Sequence, residues 1–212
     1  EVGYRLDIIK NFWFDTIYHE HLDYHAISPL KKSLEKLGLK IFRVERDSQQ
    51  GGSIRLYCCL TKSHIEVEKS VENIIEIENT EKLYNVSTYY KYYETLKRNR
   101  FELKNIINEY KNKNKKVVGF GVPTKAATLM TFFEITEKDI DYFVDDNPLK
   151  QNKFTPIGKI PILETETLYK DLPDLIIIFA WNFSESIISN HMQLTNKGTK
   201  FLVPLPSPRI ID

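Results

Sequence analysis

Residues 116–133 read KVVGFGVPTKAATLMTFF, and this stretch decides the fold class. It begins with a short apolar run, passes through Gly119 and Gly121, and continues from Pro123 to Phe133 with a helical pattern. A strand that enters a glycine turn and then a helix is typical of the first unit of a doubly wound α/β sheet. The stretch therefore predicts that an α/β domain starts at residue 116.

The sequence beyond this stretch repeats the alternation of strand and helix. Its strands are nearly continuous in apolar residues, which is typical of a parallel sheet covered on both faces. Strands are predicted at 141–146, 175–180 and 200–203, an extended link at 157–162, and helices at 164–170 and 184–196. We therefore predict one α/β domain over residues 116–212.

Two further segments precede this domain, with predicted boundaries at 1–64 and 65–115. The first contains predicted helices at 5–13 and 28–38 and strands at 39–45 and 53–60, joined by a turn at 47–52. The second is rich in Glu, Lys, Asn and Tyr and fits two connecting helices, at 65–77 and 87–112. Because the chain opens on what looks like the end of a strand, we expect the sequence to be a fragment.

The densest group of titratable side chains lies in residues 14–24, which read FDTIYHEHLDY. Histidine gives and takes protons near neutral pH, and a neighbouring carboxylate tunes its pKa. Tyr18, His19, Glu20 and His21 are adjacent in this stretch. These four residues are therefore the candidate catalytic residues of a proton-transfer site.

Two other interpretations of the same stretch remain open at this point. His19, His21 and Asp23 alternate as they would on one face of a strand, and such a trio could ligate a non-haem metal. The His-Glu-x-x-His spacing of a zinc protease is absent, and we predict no metal site. A histidine-rich turn with a purely structural role is the other alternative.

The glycine turn is a candidate ligand site. Backbone N–H groups and the helix dipole favour an anion where a strand passes into a helix. Asp145 follows Gly121 at about the spacing at which an acid holds ribose hydroxyls in nucleotide-binding folds, and Asn182 follows another predicted strand. The predicted substrate-binding residues are Gly119, Gly121, Pro123, Lys125, Asp145 and Asn182. A glycine turn that serves only the fold is the alternative.

The composition excludes several classes of partner. The 212 residues carry a net charge of +1, which gives no reason to expect nucleic acid or an anionic membrane surface as a partner. The longest apolar run, 175–181, is too short to span a bilayer. The only cysteines, Cys58 and Cys59, are adjacent and are not expected to form a disulfide with each other. A reducing, cytoplasmic location is expected.

Seven motifs in order resemble the C-methyltransferases of deoxysugar biosynthesis. They are FDTIYHEH, GGSIRLY, VVGFGVPTKAATL, VDDNPLKQ, PIGKIPI, PDLIIIFAWNF and VPLPSP, and they extend over essentially the whole chain. The Tyr-His-Glu-His run is the most specific of these motifs. The chain departs from the family pattern at Asp146, where an arginine is common, and in the glycine turn itself.

The resemblance implies a fold and an activity. Family members join an S-adenosylmethionine domain to a Rossmann-like C-terminal domain and methylate a nucleotide-linked 4-keto sugar. Residues 1–64 would then be the end of a class I methyltransferase domain, whose sheet finishes with a helix and an antiparallel strand pair. The S-adenosylmethionine would bind mainly to a domain absent from this chain, so we expect this chain alone not to transfer methyl groups.

The resemblance also implies a role for each residue of the motif. His21 would be the general base, Tyr18 would donate to the enolate oxygen, and Glu20 would orient an imidazole or contact the sugar. His19 is the competing base. Two alternative functions remain open, namely a non-catalytic nucleotide-sugar-binding module and a dinucleotide-dependent oxidoreductase.

Overall fold

The computed structural model describes residues 1–47 and 52–211, so most of the turn predicted at 47–52 lies outside the described residues. Contacts divide the chain into two compact units. The first unit comprises residues 1–13 and 20–94, and the second comprises 14–19 and 95–212. This division does not follow the boundaries predicted from the sequence, which remain predictions about the domains of the family.

The first unit is a small antiparallel sheet with helices. Its elements are β1 (Val2–Gly3), α1 (Arg5–Lys10), α2 (Ile27–Lys36), β2 (Leu39–Asp47), β3 (Ser53–Leu60) and α3 (Lys69–Thr80), and α4 (Val86–Asn112) begins in it. The sheet order is β1-β3-β2, and the predicted antiparallel pairing of β2 with β3 is confirmed. Its core joins residues of all three strands to α1, α2 and α3.

The start of α2 differs from the prediction. The sequence Ser28-Pro29 predicts a helix with Ser28 as its N-cap, because proline is favoured at the first helical position. In the structure the helix begins at Ile27 with Ala26 as its N-cap. The reason is a buried carboxylate on α3, because Glu78 accepts hydrogen bonds from the N–H groups of Ile27 (2.6 Å) and Ser28 (3.1 Å). An acid distant in sequence therefore performs the capping that the sequence pattern assigned to a local serine.

The second unit is a three-layer α/β structure, which confirms the predicted fold class. After α4 its elements are β4 (Val117–Phe120), α5 (Thr124–Phe133), β5 (Tyr142–Val144), β6 (Lys153–Phe154), β7 (Pro161–Leu163), α6 (Thr167–Asp171), β8 (Leu175–Ile178), α7 (Ser184–Asn190), α8 (Met192–Thr195), β9 (Lys200–Val203) and β10 (Arg209–Ile211). The sheet order is β10-β9-β8-β4-β5-β7-β6. The five inner strands are parallel, and β6 and β10 are antiparallel edges.

Burial explains why the inner strands are apolar throughout. Every residue of β4 and β8 is buried, as a parallel sheet covered on both faces requires. One face packs against α6, α7 and α8 through a cluster that includes Leu168, Ile187 and Leu194. The helix predicted at 184–196 is interrupted at His191, whose ring contacts Phe120 at 5.2 Å between centroids.

The strand order determines where a ligand crevice is expected. From β4 the chain continues to β5 and β7 on one side of the sheet and then returns to form β8 and β9 on the other side. The topological switch point therefore lies between β4 and β8. In open α/β sheets ligands bind beyond the carboxyl ends of the strands at this point. Among the described helices, none combines the length and the apolar character that a membrane span needs.

Candidate active site

The segment that leads into the Tyr-His-Glu-His run is fixed to the second unit. Residues Phe14–Thr16 form a 3-10 turn, and all three are buried. The Phe14 ring packs against Phe132 on α5, with 4.4 Å between ring centroids. The hydroxyl of Thr128, also on α5, donates to the Ile17 carbonyl at 3.3 Å. The residues just before Tyr18 therefore have a fixed position on α5.

Asp15 provides a second, polar connection. Its side chain is 0% exposed, and its Oδ2 accepts a hydrogen bond from the Trp181 indole N–H at 2.7 Å. Its Oδ1 makes no hydrogen bond within the described ranges. Burial raises the pKa of this carboxyl, while the Lys125 ammonium and the Trp181 N–H oppose that rise. A carboxylate with one bonded and one unbonded oxygen therefore lies at the switch-point edge of the sheet.

The four catalytic candidates lie in an irregular segment. Tyr18, His19 and Glu20 form a turn, and residues 21–24 have no regular secondary structure. Tyr18 and His21 are half-buried, His19 and Glu20 are exposed, and the Tyr18 and His19 rings meet edge to face at 5.9 Å. Side chains that react with a substrate need this combination of partial exposure and a fixed backbone.

The far end of the motif is fixed in the first unit. The N–H of Arg5 donates to the His25 carbonyl at 2.8 Å, and Tyr4 forms a parallel bridge with His25. The division between the two units falls between His19 and Glu20. Tyr18 and His19 are therefore grouped with the second unit, whereas Glu20 and His21 are grouped with the first.

The metal alternative finds no support in the geometry. The alternation of His19, His21 and Asp23 required a strand, and the segment 21–24 is not one. No group of three or more His, Cys, Asp or Glu side chains suited to a metal ion occurs in residues 1–47 and 52–211.

Two glycines of the glycine turn are explained by packing. A Cβ on Gly119 would lie 2.3 Å from the Phe143 ring of the neighbouring strand. Gly121 has φ +82°, and a Cβ there would lie 2.7 Å from the Cβ of Ala180. Both positions therefore require glycine for the fold, whether or not a ligand approaches the turn.

Asp145 is engaged within the protein. Its Oδ2 accepts from the Val122 N–H at 2.7 Å and from the Lys150 ammonium at 3.0 Å, while its Oδ1 accepts from the Asn147 N–H at 2.9 Å. Lys150 also donates to the Val122 carbonyl at 2.9 Å. The carboxylate thus joins the glycine turn to the end of β5, and both oxygens are already bonded.

The remaining predicted substrate-binding residues lie at the carboxyl ends of β4 and β8. Pro123 is the N-cap of α5, and half-buried Lys125 is in the first turn of that helix. Asn182 is exposed in the 3-10 turn Trp181–Phe183 that follows β8. The structure thus brings the predicted ligand residues to one edge of one sheet.

Sequence reasoning missed two residues of this region. Asp15 was inside the quoted motif but was not selected, although an acid directly after the aromatic Phe14 was a usable signal. Lys150 was not selected because no local spacing links it to Val122. Only the fold shows that these residues meet Trp181 and Asp145.

Comparisons with known proteins agree on one family. A model of the C-methyltransferase C-terminal domain matches residues 48–206. The C-methyltransferase NovU of Streptomyces niveus is 31% identical over 212 residues. The match covers 100% of this chain and 50% of NovU, so the chain spans about half the length of that relative.

Proposed function

The chain belongs to the family of C-methyltransferase C-terminal domains, and from that premise we propose that it supplies the proton-transfer residues of an S-adenosylmethionine-dependent sugar C-methyltransferase. The proposed substrate is a nucleotide-linked 4-keto-deoxysugar. A proton is removed from the carbon next to the ketone, and that carbon then receives a methyl group. The observation that carries the proposal is the run Tyr18–His21, in which four adjacent titratable side chains are half-buried or exposed.

The residue types of the motif match the first step of this reaction. A carbon next to a ketone loses its proton only if the enolate oxygen is stabilised as charge develops on it. In the proposal His21 takes the proton, Tyr18 donates a hydrogen bond to the enolate oxygen, and Glu20 orients an imidazole or contacts the sugar. His19 is the competing base, because it lies beside Tyr18 and is exposed.

The glycine turn of this chain does not fit S-adenosylmethionine. In nucleotide-binding folds an acid at this spacing holds the ribose hydroxyls, whereas both oxygens of Asp145 already accept hydrogen bonds inside the protein. The Phe143 ring fills the space beside Gly119. We therefore propose that the methyl donor binds mainly outside these 212 residues.

The edge formed by the ends of β4 and β8 is the proposed site for the nucleotide part of the substrate. Lys125 supplies a positive charge in the first turn of α5, where a phosphate is also favoured by the helix dipole. Asn182 offers a donor and an acceptor in the turn that follows β8, the strand next to β4 in the sheet. In this proposal Gly119, Gly121, Pro123 and Asp145 act by shaping the turn.

Calorimetric titration of this chain with a nucleoside diphosphate, S-adenosylmethionine and NAD tests the proposal. We expect the diphosphate to bind, because Lys125 and the start of α5 offer positive charge to its phosphates. We expect neither cofactor to bind, since the methyl donor is proposed to bind outside these residues and no nicotinamide cofactor takes part in the proposed reaction. Lys125→Gln should weaken diphosphate binding about tenfold, the effect of losing one charged contact of roughly 1.4 kcal/mol.

Two results of this titration would contradict the proposal. Binding of NAD would favour a dinucleotide-dependent oxidoreductase. Binding of S-adenosylmethionine by this chain would show that the methyl donor site had been placed wrongly. Lys138→Gln is the matched control, since Lys138 is an exposed lysine of the same unit in the loop after α5, and it should leave every affinity unchanged.

A further inference from the structure

The Asp15 carboxylate is an unusual group to find in a fully buried turn. It is fully buried, it lies three residues before Tyr18, and only one of its two oxygens is bonded. Leaving a buried charged oxygen unpaired costs free energy, so a residue of this kind needs a compensating role. The turn would be less costly to bury with an apolar residue at this position.

The partner of Asp15 indicates that role. Trp181 immediately follows the loop after β8, and its N–H donates to the carboxylate at 2.7 Å. A hydrogen bond to a charged acceptor is shorter and about twice as strong as one between neutral groups. The Asp15–Trp181 bond therefore ties the turn before the motif to the carboxyl edge of the sheet.

The same turn determines the backbone direction of the motif. The Ile17 N–H donates to the Phe14 carbonyl at 3.0 Å, and the Tyr18 N–H donates to the Thr16 carbonyl at 3.1 Å. These two hydrogen bonds exist only while Phe14–Thr16 keeps its 3-10 conformation. A group that fixes this turn therefore also fixes the point at which Tyr18 and His19 leave it.

We propose that Asp15 is a positioning residue that, through its hydrogen bond with Trp181, holds Tyr18 and His19 in the geometry needed for proton transfer. This inference rests on the proposed function, because it assigns Asp15 to the same reaction. Asp15 touches neither the substrate nor the reacting atoms. It acts through the 3-10 turn and fixes the backbone that leads into Tyr18.

Hydrogen exchange of the Ile17 and Tyr18 amides measures whether the Asp15–Trp181 bond holds the turn in place. We expect Asp15→Ala and Trp181→Phe each to speed the exchange of the Ile17 and Tyr18 amides at least tenfold. The double variant should exchange no faster than either single variant, because both remove the same bond. Asp15→Asn keeps an acceptor for the indole and should stay within about threefold of the wild type.

Asp139→Ala is the matched control. Asp139 is also a buried carboxylate of the second unit, and it accepts from the Lys104 ammonium at 2.6 Å and the Thr136 N–H at 2.8 Å. Its loss should lower the melting temperature without selectively exposing the Ile17 and Tyr18 amides. Equal exchange of those amides in the Asp15→Ala and Asp139→Ala variants would overturn the proposal.

The catalytic part of the test uses the full-length protein that carries this chain. The measured quantity is the exchange of the substrate proton next to the ketone with deuterated water. Asp15→Ala should lower kcat for this exchange at least tenfold with KM nearly unchanged, and Asp15→Asn should restore most of it. An unchanged kcat in an active wild-type background would overturn the role of Asp15 alone, whereas no exchange by the wild type would overturn the proposed function itself.

Discussion

At the scale of single residues, the buried Asp15 carboxylate makes stability depend on pH in an unusual direction. Burial raises its pKa above the ordinary value of 3.8, although Lys125 and Trp181 oppose the rise. The folded protein therefore binds this proton more tightly than the unfolded chain does. Ionised Asp15 reduces stability above its folded pKa, and this cost disappears as the pH falls to the ordinary value.

The Asp15→Asn variant should reveal that cost. At pH 7 we expect its melting temperature to exceed that of the wild type by about 2–4 °C, the shift that roughly 1 kcal/mol produces in a chain of this size. The difference should close as the pH approaches about 4, where the wild-type carboxyl is protonated. Thermal unfolding followed by circular dichroism at a series of pH values measures it.

A paired variant should change the melting temperature in the opposite direction. Asp139→Asn removes a carboxylate that is bonded to the Lys104 ammonium, so it should lower the melting temperature at pH 7. If Asp15→Asn were also less stable than the wild type at pH 7, the carboxylate would be net stabilising and the argument from burial would be wrong.

At the scale of elements, Glu78 joins two helices of the first unit. It is 0% exposed and accepts from the N–H groups of Ile27 and Ser28 at the start of α2 and from the Ser28 hydroxyl at 2.9 Å. It also accepts from the hydroxyls of Tyr4 and Tyr84. Burial and the hydrogen bond from Tyr84 to Glu78 raise the pKa of the Tyr84 hydroxyl to about 12.

Removal of Glu78 should therefore destabilise the first unit strongly. Glu78→Ala leaves two helix N–H groups and two phenol groups without their acceptor, and we expect a loss of about 2–4 kcal/mol in the free energy of unfolding. Glu76→Ala on the exposed face of the same helix should cost less than about 0.5 kcal/mol. Urea denaturation of both variants makes the comparison, and equal costs would refute the capping role.

The elements show where sequence patterns succeed and where they fail. The strands β2, β3, β4, β8 and β9 were predicted to within a few residues, because apolar runs bounded by turns are local signals. The start of α2 was predicted wrongly, since its cap, Glu78, lies fifty residues away. The break at His191 was also missed, and in the folded unit the ring of this residue contacts Phe120 and Tyr169, which are distant in sequence.

At the candidate site, too, local sequence patterns show the residues but not their distant contacts. The Tyr18–His21 run was visible as a local concentration of titratable groups. Whether an acid is free or engaged depends on contacts across the sheet, and the structure shows Asp145 engaged by Val122 and Lys150. Its predicted contribution to ligand binding remains a prediction, and the contacts favour a role in shaping the turn.

At the scale of the whole molecule, the second unit holds the first part of the proposed catalytic segment. Residues 14–19 group with this unit by their contacts, although more than seventy residues separate them in sequence from the rest of it. Chemistry on a partly exposed loop requires such support, because misplacement of a base by about 1 Å can cost about 100-fold in rate. The Rossmann-like sheet is proposed to serve the reaction in this way as well as by contacting the nucleotide.

The most direct test of the central claim is proton exchange at the carbon next to the ketone of a nucleotide-linked 4-keto sugar. The full-length protein that carries this chain is incubated in deuterated water without a methyl donor, and NMR follows the loss of the substrate proton signal. We expect exchange by the wild type, a fall of at least about 100-fold in His21→Asn, and a smaller fall in His19→Asn. Exchange at the wild-type rate in His21→Asn, or no exchange by the wild type, would contradict the account.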